Sequence, residues 1–351
     1  MTNLSSYPFP DYLKLSEKYS PEQRMIEKSV RDFVQRKIDP IIVDAYRKEK
    51  FPEELIPEIG ELGLLGANLS GYGLPNLDNI SYGIIMKELE RGDSGLRSFA
   101  SVQGALVMYP IWAYGSEVQK EYWLPKLHHA KKIGCFGLTE SEGGSDPSAM
   151  MTKAEETPNG WELNGSKMWI TNGNIADIAI VWAKTKSGIR AFIVPMQTPG
   201  VTVQKMTGKL SLRASVTSEL YFDNVKLEKE DILPKAVGLK SALSCLTRAR
   251  YGITWGVLGA AEACFAEVCE YVKERRLFGV ALSSKQIIQY KLATILSSIT
   301  QGQLLAYRLG ELKDKNDLHF SQVSMGKQNN CKIALEISRM CRDMLGANGI
   351  I

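Results

Sequence analysis

The chain has 351 residues, enough for two or three domains and for a core that needs no disulfide staples. Hydrophobic residues make up 44% and charged residues 23%, which excludes a disordered or fibrous chain. Lys and Arg (43) against Asp and Glu (39) leave a net charge of +4, and no dense basic run marks a nucleic-acid surface.

Residues 1–15 carry no basic region followed by an apolar run and no Arg-rich amphipathic pattern, so neither a secretory nor a mitochondrial leader is expected. The first block, 1–132, reads as helical. Ser20, Pro21 and Gln23 form an N-cap, a first-turn proline and a capping-box partner. That helix carries Met25, Ile26, Val30, Phe33 and Val34 and is expected to end by Pro40. A second helix is expected over 52–63, with Pro57 early in it, and a third over 79–91 with Ile84, Ile85 and Leu89 buried. A fourth follows Asp93-Ser94-Gly95, and Ser116 to Gln119 opens another.

The period changes over 133–235. Pro158-Asn159-Gly160 has turn chemistry suited to a hairpin. Short β-branched and aromatic runs follow at 161–163, 167–171, 178–183, 191–194, 201–205 and 219–222. This predicts a β-domain, a barrel or sandwich. From 236 to 351 the chain is helical again, with long helices expected over 237–275, 284–313 and 317–345. Ile288, Leu292, Ile295 and Ile299 form one stripe. Long bundles usually pair helices into four, so three would leave an apolar face uncovered. The α–β–α order is α+β and not a βαβ nucleotide fold, and no GxGxxG opens a helix after a strand. No stretch reaches the roughly 18–20 apolar residues of a membrane span. Six cysteines without a CxxC pair and three histidines argue against zinc and for a reduced compartment.

Single segments remain ambiguous. The stretch 135–146, Cys-Phe-Gly-Leu-Thr-Glu-Ser-Glu-Gly-Gly-Ser-Asp, could be a polar loop or a ligand cradle. Trp169 and Thr171 suit a core strand and turn. Arg275 and Arg276 at a helix end complement the dipole, and a solvated face is the default for Arg248 and Arg250.

Together, CFGLTESEGGSD, KMWITNG, ARYGITWGVLGAA, ERRLFG with Gln286 beyond it, and RDMLGANG resemble the acyl-CoA dehydrogenase family over nearly the whole chain. The resemblance implies a helical N-domain (1–132), a middle β-domain (133–235) and a C-terminal helical bundle (236–351). It implies FAD between the β-domain and the bundle, and a homotetramer. By motif, Phe136, Leu138, Thr139, Gly144 and Ser145 would line the flavin, with Trp169 and Thr171 flanking its ring. Arg275, Phe278 and Gln286 of a neighbouring subunit, and Leu345, Gly346, Ala347, Asn348 and Gly349, would meet the rest of it. Ala347 stands where a second Gly is frequent.

Glu90-Arg91-Gly92-Asp93-Ser94-Gly95-Leu96-Arg97-Ser98 resembles the glutaryl-CoA branch of the family. There Arg97 and Ser98, with Glu90, would bind the distal carboxylate, which needs a cationic partner once buried. Ser145, Leu243, Leu246, Thr247 and Arg250 would bind the CoA thioester portion. The implied reaction removes a proton α to the thioester and a β-hydride, decarboxylates the product to crotonyl-CoA, and passes electrons to electron-transfer flavoprotein. The family's base is a Glu in a YEGT-type segment beyond the GGNG segment, or a residue at position 249. Here 249 is Ala and the sequence stops at Ile351. The expectation is therefore a last bundle helix and a catalytic Glu missing from a shortened chain, and impaired activity. Dehydrogenation of another acyl-CoA and a non-catalytic flavin or acyl-CoA scaffold are the alternatives. A cytoplasmic location is expected in a bacterium, the mitochondrial matrix in a processed eukaryotic protein.

Overall fold

Ser20 starts the first helix by the reciprocal capping its sequence carries: its Oγ accepts from the Gln23 N–H at 3.1 Å, and Gln23 Oε1 accepts from the Ser20 N–H at 2.9 Å. The structure, a computed structural model, describes residues 10–350. The leader reading falls largely on residues outside these, as does Ile351. Helix α1 (Pro21–Phe33) does not stop before Pro40. A π turn, Val34–Ile38, leads into α2 (Asp39–Arg47). The wider turn resets the hydrogen-bond ladder, so Pro40 falls in a first turn, where its missing N–H costs nothing.

A 3₁₀ turn, Glu53–Leu55, precedes α3 (Ile56–Glu61), which places Pro57 in the first turn. Helix α4 (Asn79–Gly92) is capped by Asp78 and is buried from Ile80 to Glu90. Helix α5 (Ser94–Ser101) continues through a second π turn, Val102–Met108, into α6 (Tyr109–Tyr114). Ser116 and Gln119 form the expected capping box of α7 (Glu117–His128).

The middle segment forms one curled sheet of seven strands: β1 (Gly134–Gly137), β2 (Lys153–Thr157), β3 (Gly160–Thr171), β4 (Ile178–Thr185), β5 (Gly188–Pro195), β6 (Val201–Lys205) and β7 (Thr217–Glu228). The order is β1-β4-β2-β3-β7-β6, with β5 on β4. Strand β4 pairs β5 along its whole length, while β1 pairs its first half in parallel and β2 touches it at Lys184. The hairpin expected at Pro158-Asn159 joins β2 to β3. Strands β1 and β2 escaped the sequence reading, β1 because it is four residues long and buried throughout, β2 because only Ala154 is buried. Cys135, Leu163, Val181, Phe192, Leu220 and Val225 belong to the sheet's core.

Helix α8 (Gly238–Glu274) is followed by a tight hairpin, β8 (Arg276–Leu277) and β9 (Val280–Ala281), then α9 (Gln286–Asp314) and α10 (Phe320–Met344). Length and composition would let α8 cross a membrane, but 56% of its apolar window is buried inside the protein, as in a core helix. Packing divides the chain into two units. One holds residues up to Pro40, Asp78–Ser94 and those from Arg250; the other holds Ile41–Leu77 and Gly95–Ala249. In the first, α1 packs on α4, α4 on α9, and α9 on α10. Phe265, Val268, Ile295, Ile299 and Ile337 fill its core. On α9 and α10, Ile287, Tyr290, Leu304, Phe320, Met325 and Leu335 are exposed.

Helix α8 approaches α4 closely at Gly259. A Cβ there would overlap the Lys87 carbonyl oxygen, a backbone atom that cannot swing aside. Gly259→Ala is expected to destabilise the fold by about 3 kcal/mol, the upper range of overpacking. A lowered urea midpoint with unchanged slope would show it; an unchanged midpoint would mean that α8 shifts freely.

Candidate active site

The register of β3 against β7 slips between Lys167 and Ile170. Met168 and Trp169 lie in that bulge, and Trp169 adopts a left-handed φ of 63°. Bulges re-aim side chains, and a bulky residue at positive φ is a local cost that persists where function uses it. Trp169 is accordingly 62% exposed although it sits inside a strand.

Trp169, Ile170 and Thr171 form one wall of a cavity of about 210 Å³. Phe136, Leu138, Thr139 and Gly144 come from β1 and the loop after it; Pro147, the π-turn residues Val102 and Leu106, and Leu246 of α8 complete the lining. Whole-ligand pockets run to about 300–1,000 Å³, so the volume of this cavity suits one part of a larger ligand. Its walls are apolar with two hydroxyls, Thr139 and Thr171, which suits a flat aromatic ring carrying a polar edge.

The loop is held from below. Lys167, two residues before the exposed Trp169, is buried, its Nζ donating to Glu140 Oε1 at 2.7 Å and to the Leu138 carbonyl at 3.1 Å. Glu140 Oε1 also accepts from the Thr152 N–H at 3.0 Å, and Oε2 from the Met151 N–H. Burial pulls the Lys167 ammonium down to a pKa of about 8, against the pull of Glu140. Burial opposes the Glu140 carboxylate, yet the Lys167 hydrogen bond and those of Thr152 and Met151 hold it below its ordinary value.

The structure thus brings Phe136, Leu138, Thr139, Gly144, Trp169, Thr171 and Leu246 to one cavity. Ser145 is exposed on the loop beside Gly144. Leu243 is exposed, and the Thr247 hydroxyl is spent on the Leu243 carbonyl at 3.1 Å. Arg97 and Ser98 are half-buried on α5. Glu90 is buried on α4 and accepts from Ser94 Oγ at 2.9 Å. Arg250 is half-buried, and Ala249 is 9% exposed.

Arg248 does not lie on a solvated face. Its guanidinium stacks over Tyr109, 4.0 Å from the ring centroid, and reaches Trp112 at 6.0 Å. Tyr114 Oη bonds Ser244 Oγ at 2.6 Å beside it, so this part of α8 is anchored where Leu246 meets the cavity.

The remaining predicted residues belong to the other unit and gather at one end of its α8–α10 layer. Arg275 follows α8, Phe278 caps the β8–β9 hairpin, Gln286 begins α9, and Leu345 to Gly349 follow α10. Asn348 Nδ2 donates to Tyr271 Oη at 3.4 Å, and Lys291 pairs with Asp343. Phe278 and Gly279 both have positive φ, 54° and 80°, and Phe278 is 94% exposed. Sequence reading took 275–279 for a helix end, because Phe-Gly is not a usual primed-turn pair. It also passed over Val102, Leu106, Pro147 and Ile170 in the lining, and Lys167. Only Lys167 carried a signal, a lysine in a strand whose other buried positions hold Gly160, Leu163 and Ile170.

Family models for the acyl-CoA dehydrogenase N-terminal, middle and C-terminal domains match residues 20–131, 135–225 and 236–351. The chain is 36% identical to the short-chain specific acyl-CoA dehydrogenase of Rattus norvegicus mitochondria, over 93% of this chain and 81% of that protein. It is 35% identical to the glutaryl-CoA dehydrogenase of Desulfococcus multivorans, over 94% and 88%. The glutaryl-CoA dehydrogenase of Mycobacterium smegmatis in complex with FADH2 superposes with a TM-score of 0.95 at 47% identity, over 97% of this chain and 89% of that one. With matched domains in the same order and similarity over nearly its whole length, the chain belongs to the acyl-CoA dehydrogenase family.

Proposed function

We propose that the chain is a FAD-dependent dehydrogenase of glutaryl-CoA, decarboxylating its product to crotonyl-CoA and passing electrons to electron-transfer flavoprotein. The observation that carries the flavin is the cavity under the bulged Trp169. Its apolar walls, two hydroxyls and glycine-bearing loop fit the ring end of a flavin, with Phe136, Leu138, Thr139, Gly144, Trp169 and Thr171 holding it. Bound there, FAD supplies the acceptor for the β-hydride.

The chain's own residues orient and shield. The apolar lining excludes water beside the reacting carbons, which strengthens every electrostatic contact there. Thr171 offers a hydroxyl to the polar edge of the ring. Arg97 and Ser98, half-buried on α5, suit a distal carboxylate, since a guanidinium's donors are forked and permanently charged. Arg275, Phe278 and Gln286, on an exposed hairpin and helix start, reach the flavin of a neighbouring subunit in a homotetramer. Phe278 at positive φ and almost fully exposed supports that reading.

Position 249 is Ala and offers no base on α8, whereas substrate binding needs none. Substrate choice is therefore tested by binding. Titration of the flavin-loaded chain with glutaryl-CoA is followed by the flavin absorbance. Arg97→Ala is expected to weaken glutaryl-CoA about 10- to 150-fold, the loss of a hydrogen bond to a charge. Butyryl-CoA binding should hardly change. Equal losses for both would favour the second reading, a short-chain substrate, which the 36% identity to the rat enzyme supports.

A further inference from the structure

We infer that Lys167 and Glu140 are positioning residues that hold the loop and the bulge of the cavity in their ligand-ready shape. The inference rests on the reading that the cavity receives a flavin. Neither residue lines the cavity, yet between them they fix both of its walls. The Lys167 ammonium clamps the Leu138 carbonyl and the Glu140 carboxylate together. Glu140 is in turn tied to the chain ahead of β2 through the Met151 and Thr152 amides. Glu140 and Gly143 bond each other's backbone and close the loop, and the Met168 N–H donates to the Thr139 carbonyl at 2.9 Å, joining loop to bulge. Leu138 and Thr139 on one wall, and Trp169 two residues after Lys167 on the other, are thereby set by one buried pair.

The packing leaves the pair little freedom. A Cβ on Gly137 would stand 3.2 Å from Lys167 Cγ, so the lysine stem fills the space beside that glycine. Register places Leu220 of β7 opposite Lys167. The ionisable group that faces the ammonium is Glu140. With its pKa pulled to about 8, the ammonium is present at neutral pH and is lost as pH rises through that value. Above it, Glu140 keeps its charge but faces a neutral amine, and the clamp weakens. Flavin binding that needs the clamp therefore favours the protonated lysine, and affinity falls as pH rises.

The test uses the full chain stripped of flavin and titrated with FAD by fluorescence, with the melting temperature of each apo-protein recorded alongside. Lys167→Met is expected to raise the FAD dissociation constant about 10- to 100-fold, as loss of an outer hydrogen-bonding partner does at other bound groups. That variant strands a buried carboxylate and could fail to fold, so Lys167→Met with Glu140→Gln is made as well. The double variant removes both charges, folds, and still loses affinity. Between pH 7 and 9.5 the wild type's affinity falls while that of Lys167→Arg, which stays charged, is flat. A folded double variant with wild-type FAD affinity, or parallel pH profiles for wild type and Lys167→Arg, would overturn the inference. Wild-type protein that takes up no FAD would instead overturn the flavin reading, and this inference with it.

Discussion

Ala249→Glu is expected to raise the rate at which glutaryl-CoA reduces the flavin-loaded 351-residue chain by 10²–10⁴-fold, about what a positioned general base contributes. Position 249 follows Leu246 by three residues on α8, so the two share a helix face, and Leu246 lines the cavity. Ala249 is only 9% exposed, and a carboxylate there is raised by burial toward neutral pH, the useful range for a base. The rate should therefore rise with pH and level off above the new group's pKa. Ala249→Gln, of similar size but unable to take a proton, should stay at the parent rate. Anaerobic single-turnover bleaching of the flavin measures this. A parent chain that already bleaches at the variant's rate would show that another of its residues serves as base.

Glu88→Ala should cost about 3–5 kcal/mol of folding stability, the range for breaking a buried ion pair by removing one partner. Glu88 has no exposed surface. Arg31 grips it with two donors, Nε at 2.9 Å and Nη2 at 2.8 Å, and Arg91 Nε donates to it at 3.0 Å. Lys87 lies 3.3 Å away and also binds Glu27, while Arg91 passes to Glu262, which accepts from Gln303 at 2.9 Å. One deletion therefore takes the shared carboxylate from Arg31 Nε and Arg91 Nε and leaves the ion network across α1, α4 and α8 held only by Glu27 and Glu262. Burial opposes the carboxylate, but Lys87, Arg31 and Arg91 overcome it and bring its pKa to about 2. A carboxylate with a depressed folded pKa stabilises fully above its ordinary value and loses that contribution as the pH falls toward the folded one. Wild-type stability should drop from about pH 4.5 toward pH 2, and Glu88→Ala should show a flatter acid limb. Urea unfolding at several pH values reads both. A change below about 1 kcal/mol would mean that the two arginines find water instead.

Two helix starts were legible because capping is local: Ser20 and Ser116 each meet their partner within a single turn. The long helices were legible because an apolar stripe persists over many turns. Pro40 misled because a π turn five residues long rewrites the ladder before the proline arrives, and nothing in residues 34–38 announces one. Strand β1 was missed because its pairing partner, β4, lies about forty residues away, and a short buried run has no alternation.

At the cavity, the residues that resemble a flavin site could be named from their segments, and six of them meet there, joined by Leu246 from the acyl-CoA set. Their support could not. The Lys167–Glu140 clamp spans 27 residues, and the bulge that turns Trp169 outward exists only as a slip of β3 against β7. The stacking of Arg248 on Tyr109, across 139 residues, also overturns a helix-face argument made from neighbours alone.

What this sequence determined by itself was family, element type, the order of blocks and the identity of the cavity's loop residues, because each rests on contacts within a few residues or on recurring segments. What only the tertiary structure decided was which side chains become buried ions and which strand residue leaves the sheet. Those depend on partners distant in the chain, whose approach sets the desolvation and register that local chemistry does not contain.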